Sequence, residues 1–316
     1  HWPNWQSRGY TPLTDMRPKR DSSYGCIKAL LLLGRVSNLP TVWSNCLAAW
    51  LLAGGALVES ADQQRFAWLI AGATLLFLAG MFLNDAFDVQ FDREHRPERP
   101  IPSGAITAKT VWVLGIGQLL LGLGCLVWMN TLATLCALGL AASILLYDWL
   151  HKRTAWSPML MGLCRLFLYL LAAATTTEPL GLTVVLCAFA LWAYIVGLSN
   201  IARREATGGR VNSWPCWLLG LPLALAFALP YWDGDADVSW RGVLVAAALY
   251  ALWTVRSLLF TFKSMMPQHG RTVSGLLAGI VLFDFLLAAN QNMQMGVVFF
   301  GLFGLALLFQ RYIPAT

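Results

Sequence analysis

Charge is what this chain lacks. Asp, Glu, Lys and Arg make up 12% of its 316 residues, against about 25% in a typical soluble domain, so half of the polar coat that a water-facing surface needs is missing. That deficit excludes an ordinary soluble enzyme and a disordered regulator. The seven cysteines (Cys26, Cys46, Cys125, Cys136, Cys164, Cys187 and Cys216) form no C-x-x-C pair and are scattered, mostly in apolar stretches. This excludes a disulfide-stapled secreted domain and a thiolate metal centre, and leaves reduced small hydrophobes. No run of Lys and Arg with interleaved aromatics occurs, so no nucleic-acid partner is expected and the net charge of +6 reports membrane topology.

What is abundant is apolar length. Hydrophobic residues reach 58% and the mean hydropathy is +0.60. With about 20 apolar residues needed per crossing, segments at 38–58, 66–84, 110–128, 131–149, 157–176, 180–201, 214–231, 241–262, 272–290 and 294–312 read as spans. The expected fold is an all-α, polytopic integral membrane protein of nine to ten transmembrane helices. Residues 1–29 are expected as a polar tail. Its first fifteen residues, which precede Met16, are expected to be a tag or otherwise non-native. Residues 30–312 form one membrane domain, with loops 85–110 and 200–213 building the site.

Basic residues alternate with the threading. Arg17, Lys19, Arg20, Lys28 and Arg35 fall on one side, with Arg93, Arg96, Arg99, Lys109, Lys152, Arg153, Arg203, Arg204, Arg210, Lys263, Arg271 and Arg311. The opposite loops hold Arg65 and Arg241 among acids. This pattern places both termini and the polar loops in the cytoplasm. The lack of a transit peptide after Met16 points to a bacterial inner membrane.

At the end of the second span the chain reads Asn84-Asp85-Ala86-Phe87-Asp88-Val89-Gln90-Phe91-Asp92. On a helix the spacing i, i+3, i+7 puts the three carboxylates on one face. Such a cluster repels itself unless cations neutralise it, and Mg²⁺ suits carboxylates combined with water and phosphate oxygens. Arg93, Arg96 and Arg99 follow and supply phosphate clamps. Together these groups describe a site for a metal-bound diphosphate. Asp284, deep in the ninth span, and Arg165, about two turns into the fifth, are charges that lipid does not tolerate unless they are paired or face a cavity. Asp284 receives no role. The pairs Gly115 and Gly122, and Gly301 and Gly304, are expected to allow close helix packing.

The motif N-D-x-x-D-x-x-x-D, followed by Arg99-Pro100-Ile101-Pro102-Ser103-Gly104, resembles the first signature of the UbiA superfamily of intramembrane prenyltransferases. The order of spans and loops is similar over about residues 30–312. The resemblance implies helices around a central cavity open to lipid, and one or two Mg²⁺ ions binding the diphosphate of a polyprenyl donor. Ionisation of the donor then yields an electrophile for a small acceptor. It implies metal and catalytic roles for Asp85, Asp88 and Asp92, with Asn84 as the leading amide and Arg93 and Arg99 as diphosphate contacts.

The family's second acidic motif corresponds here to the stretch from Gly197 to Gly209, where Glu205 is the one acid left. Glu205 is thus the candidate second metal ligand, Arg203 and Arg204 candidate diphosphate contacts, and Ser199 and Asn200 candidate polar cavity residues. Tyr147-Asp148-Trp149-Leu150-His151-Lys152 stands where many members carry Y-x-x-x-K. The resemblance implies catalytic roles for Tyr147 and Lys152, with Lys152 also at the diphosphate, and an acceptor contact for Asp148. Asn38 matches an asparagine that faces the cavity, and Arg165 becomes a candidate contact for the acceptor or the diphosphate. Two alternatives stay open: a membrane terpene cyclase or diphosphate lyase with no second substrate, and, from another class, a cation transporter.

Overall fold

A computed structural model describes residues 25–207, 213–233, 240–263, 268–290 and 293–315. Most of the expected tail, and residues 208–212 of the second expected site loop, lie outside the described residues. All regular elements described are helical, as hydrocarbon requires, because a helix satisfies its own backbone polar groups.

The chain enters through α1 (Cys26–Leu33), breaks at Gly34 to Asn38, and resumes as α2 (Leu39–Leu52). Pro40 lies in the first turn of α2, where its missing N–H has no intrahelical partner to lose. The break turns on Arg35, a non-glycine residue in the left-handed region at φ +42°. That conformation costs roughly 1–2 kcal/mol, so the contacts of Arg35 must hold it there. The first span is shorter than its apolar run predicts, since α2 ends at Leu52 and Gly54 turns away at φ +77°.

The chain continues through α3 (Ser60–Phe87), α4 (Val89–His95), α5 (Ala108–Leu126), α6 (Thr131–Leu150), α7 (Ser157–Ala174) and α8 (Leu182–Thr207). It closes with α9 (Trp214–Asp233), α10 (Trp240–Phe262), α11 (His269–Ala288) and α12 (Gly296–Tyr312). Among the described residues eight helices are long and apolar enough to cross a membrane. The two remaining expected spans are α2, with 14 residues, and α9, which carries Pro222 and Pro230 in its interior. The expected loop 85–110 is partly helical, with α4 inside it; turns begin at the prolines and α5 starts at Ala108. The expected loop from residue 200 is helical as far as Thr207.

Burial sorts these helices into a centre and a rim. Twelve of the 14 residues of α2 are buried, and 78% of the apolar window of α11 is inside the protein, against 17% for α12. A helix apolar on all sides belongs in a core, and α2 and α11 pack together there. Helix α3 has 28 residues, about 42 Å at the α-helical rise, against a hydrocarbon core of ~30 Å. Its carboxylate end can therefore stand clear of the lipid while the helix still spans.

Gly115 and Gly122 are where α5 meets α3, and a Cβ at Gly115 would lie 2.9 Å from Leu83. Gly301 and Gly304 differ from expectation. Neither has a neighbour within 4 Å of a Cβ position, so they do not serve packing within this chain.

Candidate active site

The acidic motif survives the junction of α3 and α4. Asp88 takes helical torsions, its N–H reaches the carbonyl of Asn84 at 3.0 Å, and the N–H of Asp92 reaches that of Asp88 at 2.9 Å. The helical path therefore carries on through the motif, and all three aspartates are buried. The Arg99-Pro-Ile-Pro-Ser-Gly turn folds back over them, with Gly104 at φ +79°.

Each carboxylate is matched by a cation from elsewhere in the chain. Arg99 Nη1 lies 3.3 Å from Asp85 Oδ1 and 2.8 Å from Asp92 Oδ2, so two carboxylates converge on one nitrogen. Arg35 Nη2 lies 3.7 Å from Asp85 Oδ1 and 3.4 Å from Asn84 Oδ1. These contacts account for the left-handed backbone at Arg35. Asn84 in turn donates to Asp148 Oδ1 at 3.1 Å.

Asp88 faces the end of α6 instead. Lys152 Nζ lies 2.7 Å from its Oδ1 and His151 Nε2 lies 3.2 Å from its Oδ2. Burial alone would raise the Asp88 carboxyl, but hydrogen bonds from His151 and Lys152 and their charges outweigh it and hold the pKa below the usual carboxylate value. Burial correspondingly opposes protonation of His151, and the Asp88 contact overrides it, raising the imidazole above its ordinary value. Geometry agrees: Nδ1 of His151 sits 3.1 Å from the Asp148 carbonyl, so both ring nitrogens face acceptors and both must carry protons to satisfy them. Tyr147 stacks on His151 at 5.1 Å, and the Lys152 ammonium rests 3.6 Å above the Phe91 ring.

The other expected residues divide. Asp148 is buried and its Oδ2 has no hydrogen-bond partner in the protein. Asn38 is buried, donates to the carbonyl of Ala315 at 3.0 Å, and leaves its Oδ1 unsatisfied. Arg93 is exposed, and among the described residues no ion pair joins it to the motif. Arg203 donates to the carbonyl of Ala155 at 2.8 Å and ties the end of α8 to the loop before α7. Asn200 bonds back to Val196 in its own helix at 2.8 Å, and Ser199 beside it is half-buried. The side chains of Arg204 and Glu205 lie outside the described residues.

A second polar cluster lies in the core, at the junction of α2, α7 and α11. Asp284 Oδ2 accepts from Ser44 Oγ at 2.5 Å and from Asn45 Nδ2 at 2.8 Å. Asn45 Oδ1 accepts from Arg165 Nη1 at 2.7 Å, and the same guanidinium donates to the carbonyl and hydroxyl of Thr41 at 3.2 and 2.9 Å. Asp284 and Arg165, read separately in the sequence, are thus two ends of one chain that runs through Asn45. Arg35 and His151 are the site residues without an assigned role in the sequence reading. The signal for Arg35 is an arginine followed within five residues by a helix-starting proline. His151 lies four residues after Tyr147, one turn along the same helix face.

The donor set fits Mg²⁺. All three acids offer hard oxygens, and the convergence of Asp85 and Asp92 on one Arg99 nitrogen marks a point where a shared cation is held. With side chains so placed, no three of the described His, Cys, Asp and Glu residues face a common ion. The acids are instead occupied by Arg35, Arg99, His151 and Lys152.

Comparison with known proteins gives the family and the fold. Residues 38–314 match the family model described as the UbiA prenyltransferase family. The chain is 26% identical over 285 residues to the digeranylgeranylglyceryl phosphate synthase of Methanopyrus kandleri, covering 81% of this chain and 98% of that one. It is 29% identical over 278 residues to the 4-hydroxybenzoate octaprenyltransferase of Escherichia fergusonii, covering 81% and 89%. The fold is like that of a UbiA homologue from Aeropyrum pernix, at a TM-score of 0.63 and 17% identity over 80% of this chain and 96% of that one. It is also like that of a UbiA homologue from Archaeoglobus fulgidus bound to DMAPP and Mg²⁺, at 0.50 and 14% over 90% and 97%. With an acidic helix end, cations drawn onto it from three other parts of the chain and a family match over most of its length, this multi-pass membrane protein belongs to the UbiA prenyltransferase family.

Proposed function

We propose that the chain transfers a prenyl group from an allylic polyprenyl diphosphate to a small acceptor within the membrane, with Mg²⁺ required. The observation that carries this reading is the convergence of Asp85 and Asp92 on Arg99, with Arg35 also on Asp85 and Lys152 on Asp88. Asp85, Asp88 and Asp92 are the residues that would hold the metal, which when bound supplies positive charge to the leaving diphosphate. Glu205 remains the candidate for a second ion.

This chain's own residues do the rest. Arg35, Arg99 and Lys152 bind the diphosphate oxygens, with Asn84 orienting Arg35; Arg93, Arg203 and Arg204 are further candidates for the diphosphate on the sequence reading. The allylic C–O bond breaks with its electron pair going to the diphosphate oxygen, and fixed cations stabilise the charge that grows there. The acceptor's nucleophilic atom then bonds to the allylic carbon and its proton passes to an oxygen of the released diphosphate. The unsatisfied Oδ2 of Asp148 supports a role for it as a hydrogen-bond acceptor toward that substrate. Tyr147 packs on His151, which holds the Asp88 side of the site. Asn38, Arg165, Ser199 and Asn200 are proposed to border the acceptor cavity. The two named relatives differ in acceptor, one making a glyceryl phosphate derivative and the other acting on 4-hydroxybenzoate, so both classes are candidates. The alternating basic residues support a site on the cytoplasmic side, of a bacterial inner membrane on the sequence reading.

The test is pyrophosphate release by purified protein given geranyl, farnesyl or geranylgeranyl diphosphate, with and without Mg²⁺, comparing wild type with Asp88→Ala. Mg²⁺-dependent release that the variant loses supports the proposal. Release that is unchanged in Asp88→Ala removes it. A hydrocarbon formed without added acceptor would replace transfer by cyclisation or lyase chemistry.

A further inference from the structure

From Val238 to Phe283 the sequence contains Arg241, Arg256, Lys263 and Arg271 and no acid at all. Arg256 lies in α10, six residues before its end at Phe262, about 9 Å along the axis at the helical rise. It is exposed, so it faces the lipid around the bundle. A cation inside a span and turned outward has to reach the interface or meet an anion.

The structure gathers a second cation beside it. The Arg256 guanidinium lies 5.5 Å from the centre of the Phe260 ring, and the Arg271 guanidinium, from the first turn of α11, lies 5.9 Å from the same ring. Two like charges thus share one aromatic ring. No carboxylate is paired with either among the described residues.

Directly toward the bilayer centre runs an apolar groove of about 230 Å³, lined by Leu249, Leu252, Trp253, Leu282, Phe300 and Phe303, with Arg256 on its wall. It lies between α10, α11 and α12. Its wall is held in place because Trp253 Nε1 donates to the Gly275 carbonyl at 2.7 Å and the indole packs edge-on against Phe303 at 4.8 Å. Arg256 itself lies 4.9 Å over the Trp253 ring. The groove opens to hydrocarbon, because Leu252 is 69% exposed and Phe300 44%.

We propose that this groove binds one anionic phospholipid from the leaflet on the side of the acidic motif. Its phosphate is held between Arg256 and Arg271 and one acyl chain lies along Leu249, Leu252, Leu282 and Phe303. Charge complementarity selects the occupant. Two guanidiniums suit a phosphate, and a diester carrying acyl chains is the phosphate that arrives with a tail to fill the groove. The site is separate from the acidic motif, and its occupancy is independent of the reaction proposed there.

The experiment is native mass spectrometry of the full chain, titrated with phosphatidylglycerol and phosphatidylcholine of matched acyl chains. Wild type should retain phosphatidylglycerol with at least tenfold preference. The double variant Arg256→Gln, Arg271→Gln should lose that preference while keeping its affinity for phosphatidylcholine. Leu252→Trp, which fills the groove, should weaken both lipids, and millimolar inorganic phosphate should not displace the bound phosphatidylglycerol. The double variant Arg256→Lys, Arg271→Lys keeps both charges and covers the case in which the glutamine variant does not fold; it should retain most of the preference. Unchanged preference in the glutamine variant overturns the proposal, as does complete loss in the folded lysine variant. Displacement by inorganic phosphate alone would reduce the site to a phosphate subsite, and displacement by geranylgeranyl diphosphate in Asp88→Ala protein would assign the groove to the donor. Either result sinks the phospholipid.

Discussion

The ammonium of Lys152 lies 2.7 Å from a carboxylate oxygen of Asp88, joining the end of α6 to the end of α3 across 64 residues of sequence. On the proposed reading this ammonium also meets a diphosphate oxygen of the donor. Lys152→Met should therefore raise the KM for the donor roughly tenfold to a hundredfold, the loss of one charged hydrogen bond, while changing the KM for the acceptor little. Steady-state kinetics with each substrate varied in turn will decide. Equal losses for both would mean that Lys152 supports structure alone.

The His151–Asp88 contact should make stability depend on pH. The Asp88 carboxyl is held below its ordinary 3.8, so its contribution is present above that value and fades as pH falls through the depressed one. His151 is raised above its ordinary 6.5, so its contribution is complete below 6.5 and fades as pH rises through the raised value. The two overlap most fully between the ordinary values. The difference in Tm between wild type and His151→Gln in detergent should be largest there and shrink toward alkaline pH. A flat difference would show that the imidazole is neutral throughout.

Arg99 holds the point where Asp85 and Asp92 converge, and so competes with the metal. Arg99→Gln should lower the Mg²⁺ concentration that half-activates the enzyme, even as the KM for the donor rises. A higher Mg²⁺ requirement would indicate that Arg99 arranges the acids and does not block them.

Asp284 accepts from both Ser44 and Asn45. Asp284→Ala leaves the Asn45 amide N–H buried without a partner, while the Ser44 hydroxyl keeps the Thr41 carbonyl at 3.2 Å, at a cost of about 1–3 kcal/mol. Asn45→Ala in the same background should add less than it does alone, because Asn45 has already lost one of its two partners. A double-mutant cycle on thermal unfolding in detergent measures the coupling. Strict additivity would mean that the Asp284–Asn45–Arg165 chain carries no shared energy.

The span positions were legible because an apolar run of bilayer length has few other fates. The acidic motif was legible because i, i+3 and i+7 lie within two helical turns. The cations that answer it were harder to assign. Arg35 is 49 residues from Asn84 and His151 is 63 from Asp88, and no local spacing encodes pairs at that separation. Asp284 and Arg165 stood out as charges in lipid, but their connection runs through Asn45, 239 residues from Asp284. Gly301 and Gly304 show the reverse error, since spacing that permits close packing does not bring a partner. The short first span was hidden because α2, Gly54 and the residues after it share one apolar composition and only the backbone turn at Gly54 separates them.

The pairing of every carboxylate in the motif with a basic residue, Arg99 from the turn just after it or Arg35, His151 and Lys152 from distant parts of the chain, has a consequence for how substrates load. Three acids already face Arg35, Arg99, Lys152 and a protonated His151, so on the proposed reading a metal entering alone would meet surplus positive charge, and a diphosphate entering alone would compete with the aspartates for the same bases. Arriving together they swap partners, acids to metal and bases to phosphate, and the total charge of the pocket hardly changes. Binding of the two should therefore be cooperative, with Mg²⁺ tightening the donor by the same factor as the donor tightens Mg²⁺. Titration calorimetry of the donor with and without Mg²⁺ measures that factor, and equal affinities would show that the two bind independently.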